Sequence, residues 1–154
     1  GDKMAGTTDI LLLIRGIGKF YDQCMEGVRA KYQMSQMEIK VLNFLHNNPG
    51  HDTAAEISEL RMLPKGNVSQ AVESLIQKGF LMRLPDTKDR RKIHLGFTPQ
   101  ASQLLTEIDL AKNIYQEQLF KEFSLEERIA YDQMNEKILN NVRQGMEMEE
   151  KYGQ

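Results

Sequence analysis

The sequence predicts a mainly α-helical fold with one small β-hairpin, and three observations carry that prediction. Apolar residues recur at helical spacing through most of the 154 residues. Helix-start signatures of the form Ser/Thr-x-x-Glu stand at Ser35, Thr53 and Ser124, each ahead of such a run. Only between Phe80 and Phe97 does the period shorten to two, on either side of a charged, turn-prone stretch. At 40% hydrophobic and 27% charged, the chain has the composition of one domain with a real core.

Each element follows from its own residues. Thr8 and Asp9 are placed to cap a first helix whose stripe runs Ile10, Leu13, Ile14, Ile17, Phe20, Tyr21, Cys24, Met25 and Val28, and this stripe is expected to face a core. Ser35 to Glu38 forms a capping box for a second helix through Val41, Leu42 and Leu45, which Asn47-Asn48-Pro49-Gly50 stops. Thr53 to Glu56 opens a short third helix through Ile57 and Leu60, and Arg61-Met62-Leu63 makes a tight turn. Pro64, with its preset φ and no N–H, suits the first turn of the next helix, which carries Val68, Val72, Leu75 and Ile76 inward and ends at Gly79. Two short helices joined by such a turn form a helix-turn-helix.

Phe80, Met82 and Leu84 then alternate with Leu81 and Arg83, and Ile93, Leu95 and Phe97 alternate with Lys92, His94 and Gly96. Pro85 to Arg91 between them is polar, so this is a hairpin with a basic tip, a wing. Thr98 and Pro99 are expected as cap and first residue of a helix running to Phe123, and Ser124 to Glu127 starts a last helix with Ile129, Met134, Ile138 and Val142. The fold class is therefore a winged helix-turn-helix core flanked by long terminal helices. One domain over 1–154 is expected, with one lobe at 35–97 and a helical lobe at 8–32 plus 98–151. Gly1, read as a tag-cleavage remnant, carries no part of this argument.

No stretch approaches the roughly 20 apolar residues that span a bilayer, and the run Ile10–Ile14 lacks the flanks of a secretory signal, so a cytoplasmic location is expected. The net charge of −2 conceals an uneven distribution. Residues 1–60 carry −2, residues 61–94 carry +5 and residues 95–154 carry −5. Arg61, Lys65, Lys78, Arg83, Lys88, Arg90, Arg91 and Lys92 supply the basic centre, which is the footprint a polyanion needs.

The segment from Ile57 to Arg83, Ile-Ser-Glu-Leu-Arg-Met-Leu-Pro-Lys-Gly-Asn-Val-Ser-Gln and onward, resembles without gap the DNA-binding helix pair of the MarR (multiple antibiotic resistance regulator) family. Asp86-Thr-Lys-Asp-Arg-Arg-Lys-Ile-His-Leu-Gly-Phe-Thr98 is similar to that family's wing signature. Two positions depart from the pattern: Met62 stands where the family often has glycine, and Ala101 replaces another frequent glycine. A positive φ at Met62 would strain the turn.

The resemblance implies a homodimeric transcriptional regulator, expected to be a repressor, that binds a pseudo-palindromic double-stranded DNA operator, with 35–97 as its DNA-binding lobe and 8–32 plus 98–151 as its dimerisation lobe. Its recognition helix would enter the major groove, where Lys65, Asn67, Ser69 and Gln70 reach bases or phosphates. Its wing, with Lys88, Asp89, Arg90 and Arg91, would enter the minor groove, Asp89 holding one guanidinium in place. Relatives often accept small aromatic or phenolic anions in a cleft between the two lobes, so an effector of that kind is expected to release DNA. No membrane partner, cofactor or metal is expected. The alternative reading is a winged-helix interaction module whose basic centre binds an acidic protein.

No nucleophile beside a base, glycine-rich phosphate loop or paired-carboxylate site is legible, so the chain does not read as an enzyme. Cys24 lies on the first apolar stripe and reads as a packed small hydrophobe in preference to an oxidant sensor. His46 and His51 flank a turn without a further soft ligand, which makes a poor zinc set. His94 is read as a phosphate-side or solvent residue on the polar face of its strand.

Overall fold

The computed structural model describes residues 7–152, and Gly1 lies outside them. The elements run α1 (Thr7–Tyr32), α2 (Gln36–Asn47), α3 (Ala54–Arg61), α4 (Lys65–Gln77), β1 (Leu81–Pro85), β2 (Ile93–Phe97), α5 (Ala101–Leu119) and α6 (Leu125–Tyr152). They fall into two compact units divided within α5 after Tyr115.

In the first unit α2, α3 and α4 pack around Ile39, Leu42, Ile57, Val68 and Leu75, all essentially inaccessible to solvent. Met25 from α1, Leu81 from β1, and Leu104 and Ile108 from α5 complete this core. The caps act locally. Ser35 Oγ accepts the Glu38 N–H while the Glu38 carboxylate accepts the Ser35 N–H, the full capping box. Thr53 caps α3 by accepting from the Glu56 N–H, and its hydroxyl donates to the Glu56 carboxylate.

Helix α3 ends on Met62, which adopts left-handed geometry at φ 53° and ψ 47°. The positive φ anticipated at this position is real. It is held by the Leu63 N–H bonding to Ser58 O at 2.9 Å and by the Ser58 hydroxyl bonding to Leu63 O at 2.5 Å. Pro64 sits just before α4, one place earlier than a first helical residue. Gly79, at φ 86°, closes α4, and it is this left-handed turn that selects glycine there.

The hairpin pairs antiparallel in the register Leu81↔Phe97, Arg83↔Leu95 and Pro85↔Ile93. Leu81 and Leu95 are therefore the residues that reach the core, while Met82 and Leu84 are more than 40% exposed. The alternation of Phe80, Met82 and Leu84 is real, but only Phe80 of that set is buried, because the chain enters the strand through a tight turn after Gly79. The Leu95 N–H also bonds to Asp52 O at 2.7 Å, which fastens the wing to the loop ahead of α3.

Three further expectations are corrected. Helix α5 begins at Ala101, not at Pro99 behind a Thr98 cap, because the Thr98 hydroxyl donates to Gly79 O at 2.5 Å instead of capping. It ends at Leu119, not Phe123, with a turn through Glu122 at φ 67° before α6. The apolar stripe of α1 faces the core only in its second half. Ile10, Leu13 and Ile14 are 52%, 58% and 60% exposed, since no element among the described residues of the first unit covers them.

In the second unit Phe120 packs edge-on against Phe123 and Tyr131, with the Arg128 guanidinium over its ring. Ser124 and Glu127 make a capping box for α6. Leu125, Ile129, Ile138, Val142 and Met146 of that helix are all exposed.

Candidate nucleic-acid interface

Helix α4 buries Val68, Ala71, Val72 and Leu75 and so must present the remaining residues outward. Lys65, Asn67, Ser69 and Gln70 are all exposed in its first two turns. Asn67 and Gln70, three residues apart, line a shallow groove of about 220 Å³ against Ser35 and Glu38 at the start of α2. Ser69 is not among the residues of that groove, so the presumed reading face has two edges.

Beside that groove lies a half-buried ion pair that the sequence did not reveal. Lys78 Nζ donates to the Glu38 carboxylate at 2.9 Å and to Gln33 O at 2.6 Å, and the Ser74 hydroxyl donates to Glu38 at 3.1 Å. Burial raises the Glu38 pKa, but the Ser35 N–H, the Lys78 ammonium and the Ser74 hydroxyl outweigh it and hold the carboxyl below its ordinary value. Lys78 therefore fixes the end of α4 onto α2. Arg83 is likewise engaged, its guanidinium donating to Glu73 on the exposed face of α4. That hydrogen bond, first among the causes, lowers the Glu73 pKa. Lys78 and Arg83 of the basic centre are thus engaged within the chain.

The wing turn keeps its cations outward. Lys88, Asp89, Arg90 and Arg91 are all exposed, and the Arg91 side chain is 94% accessible. Asp89 accepts the Arg91 backbone N–H at 3.0 Å, with the guanidinium Nε a looser 3.6 Å away. It therefore holds the backbone of Arg91 more closely than its side-chain fork.

His94 departs from its reading as a solvent residue. Its Nδ1 lies 2.6 Å from Asp52 Oδ1 and its Nε2 lies 2.8 Å from Asp86 Oδ2. Asp86 in turn accepts the backbone N–H groups of Lys88 and Asp89. The other two histidines also have carboxylate partners, His46 with Asp109 and His51 with Glu56. Among the described residues no cluster of three or more His, Cys, Asp or Glu side chains is disposed to hold a metal ion. Cys24 is half-buried.

A second feature of the first unit escaped sequence reasoning. A cavity of about 550 Å³ opens among α1, α2, α3 and α5. Tyr21, Phe44 and Tyr115 supply its aromatic wall, and Lys40, Arg61 and Lys112 its cations, with Asp22 as the one acid. Asn43 donates to the Tyr21 hydroxyl, while its Oδ1 is buried with no hydrogen-bond partner. Burial, the largest cause, raises the Tyr21 pKa, so this phenol stays protonated at neutral pH. Tyr21 was visible on an apolar stripe; its convergence with three cations from other helices was not.

Comparison with known proteins gives this arrangement a context. Residues 32–92, which contain α2, α3, α4 and the wing turn, match the model of the MarR family. The HTH-type transcriptional repressor YetL of Bacillus subtilis is 26% identical over 102 residues, a stretch covering 66% of this chain and 61% of that protein. The MarR protein from Peptoclostridium difficile superposes with a TM-score of 0.77 at 22% identity, covering 94% of this chain and 96% of the other. Bordetella bronchiseptica BpsR, described as regulated in its DNA binding by 6-hydroxynicotinic acid, superposes with a TM-score of 0.66 at 19% identity, covering 84% and 97%. At such identities the structural likeness establishes the winged helix fold. No helix among the described residues is long and apolar enough to cross a membrane.

Proposed function

We propose that the chain, whose residues 32–92 match the model of the MarR family, is a transcriptional regulator of that family and binds an operator in double-stranded DNA as a homodimer. The observation that carries this reading is that α4 and the wing, held in one unit by Glu73–Arg83 and by the Leu95 N–H bond to Asp52, both expose polar and cationic groups. Asn67 and Gln70 have the donor–acceptor pair that matches adenine in the major groove, and Lys65 and Ser69 suit phosphate. Arg90 and Arg91 on the wing suit a narrow minor groove.

One recognition helix reads too few bases for specificity, so two copies are needed at half-sites about one helical turn apart. The uncovered apolar residues of α1 and of α6 supply the surface for that pairing, the dimerisation lobe of 8–32 plus 98–151. The α1–α2–α3–α5 cavity is the proposed effector site. Its volume suits a small molecule, and its aromatic wall and cations suit an aromatic or phenolic anion, as 6-hydroxynicotinic acid is for BpsR. Arg61 ends α3, so a ligand drawing on it acts directly on the helix-turn-helix and releases DNA by shifting the population of lobe arrangements.

Selection of bound duplexes from a random-sequence pool, followed by fluorescence anisotropy across a salt series, tests the proposal. A palindromic consensus bound more tightly than scrambled duplex supports it. Binding to acidic protein with no preference among duplexes would replace it with the interaction-module reading.

A further inference from the structure

His94 faces two carboxylates, one at each ring nitrogen, at 2.6 and 2.8 Å. A neutral imidazole offers one donor and one acceptor, whereas ionised carboxylates only accept. Both contacts are satisfied only when both nitrogens carry protons, so the geometry itself calls for imidazolium. The three groups come from three places: Asp52 from the loop ahead of α3, Asp86 from the first corner of the wing turn, and His94 from β2. Asp86 also gathers the N–H groups of Lys88 and Asp89, so the orientation of the wing tip passes through it.

We propose that His94 is a positioning residue whose bound proton locks the wing against the helix-turn-helix, so that wing contact with DNA is proton-dependent. This rests on the DNA-binding reading above. Among the described residues the charged groups that bear on the ring are Asp52 and Asp86, and across the hairpin it faces Leu84. The hydrogen bond to Asp52, then that to Asp86, raises the His94 pKa above its ordinary 6.5. The same bond to His94, with the two backbone N–H groups, lowers the Asp86 pKa. A raised folded-state value means the lock is complete below about pH 6.5 and is lost as pH climbs through the raised value. Deprotonation leaves two carboxylates sharing one donor, and one arm of the clamp opens. The wing-turn backbone, whose Lys88 and Asp89 N–H groups Asp86 holds, then loses one of its anchors, and that part of the surface loses a positive charge.

The test uses the full chain. Ring nitrogen shifts of His94 and the exchange rate of the Leu95 amide are followed by NMR from about pH 5.5 to 9.5 in the free protein, and operator affinity is measured over the same range. The expected result is a doubly protonated ring at pH 7, with Leu95 protection and operator affinity falling together as it titrates, affinity by about tenfold. In His94→Gln, which keeps one donor and cannot titrate, that dependence is expected to flatten; in Asp52→Asn its midpoint is expected to move down. A neutral ring at pH 7, or a wild-type affinity profile no steeper than that of His94→Gln, overturns the proposal. If the ring and the Leu95 amide titrate as stated while no duplex binds at any pH, the lock stands and the DNA-binding reading fails.

Discussion

At the scale of single residues, Met62 and Gln70 make opposite kinds of prediction. Met62 holds a left-handed φ of 53° with a side chain 45% exposed, so it gains little from packing to offset its backbone strain. Left-handed geometry costs an L-residue about 1–2 kcal/mol, and glycine gives back about 0.5–1 kcal/mol of that in chain entropy. Met62→Gly is therefore expected to stabilise the chain by about 0.5–1 kcal/mol, read as a rise in thermal midpoint, and a fall would show that the thioether packs in a way its exposure does not suggest. Gln70 concerns readout. Gln70→Ala is expected to cost about 1–3 kcal/mol on the selected operator and to relax one position of each half-site. Lys65→Ala is instead expected to weaken all duplexes alike and to reduce the salt slope by about one charge per subunit. Equal loss on operator and scrambled duplex for Gln70→Ala would mean that this edge of α4 does not read bases.

At the scale of elements, an exposed ion pair between Glu73 and Arg83 joins α4 to the first strand of the wing. Arg91→Ala, and less so Arg90→Ala, is expected to weaken duplex binding by about 1–3 kcal/mol without altering the unfolding transition, since the wing tip is solvent-exposed. Unchanged affinity in both variants would remove the wing from the interface. Glu73→Ala should do the reverse. It takes an acid off the face of α4 and frees the Arg83 guanidinium, so affinity for any duplex is expected to rise about threefold to tenfold with little change in stability. Gel-shift titration of the variant beside wild type decides it, and weaker binding would give the pair an orienting role that outweighs its charge.

These elements also show what was legible. The caps at Ser35 and Ser124 and the glycine stop at Gly79 were readable because donor and acceptor lie within a few residues. The neutralisation of Lys78 by Glu38, forty residues away, was not, so the net charge of the basic centre overstated the cations free for DNA. The start of α5 was misplaced for the same reason: Thr98 had the right chemistry for a cap, but its hydroxyl is taken by Gly79 across the fold. His94 looked solvated because alternation reports only which face of a strand a residue occupies. It says nothing of two aspartates arriving from other segments.

At the scale of the whole molecule, the exposed apolar residues of α1 and α6 set an expectation for assembly. A stable dimer at micromolar concentration is expected in sedimentation. Ile138→Glu, which introduces a charge on the α6 stripe, is expected to shift the population toward monomer. A wild-type chain that sediments as a monomer would leave the two-half-site geometry without support.

Near the start of α1, Ile10, Leu11, Leu12, Leu13 and Ile14 are all more than half exposed. Five consecutive residues at about 100° each go more than once around a helix. The result is a greasy collar, which a neighbour on one side only could not shelter. Whatever covers it must wrap it, and a wrapping partner is difficult to assemble from two finished halves. Folding and pairing of this segment then become one second-order event, and the melting temperature should climb with protein concentration.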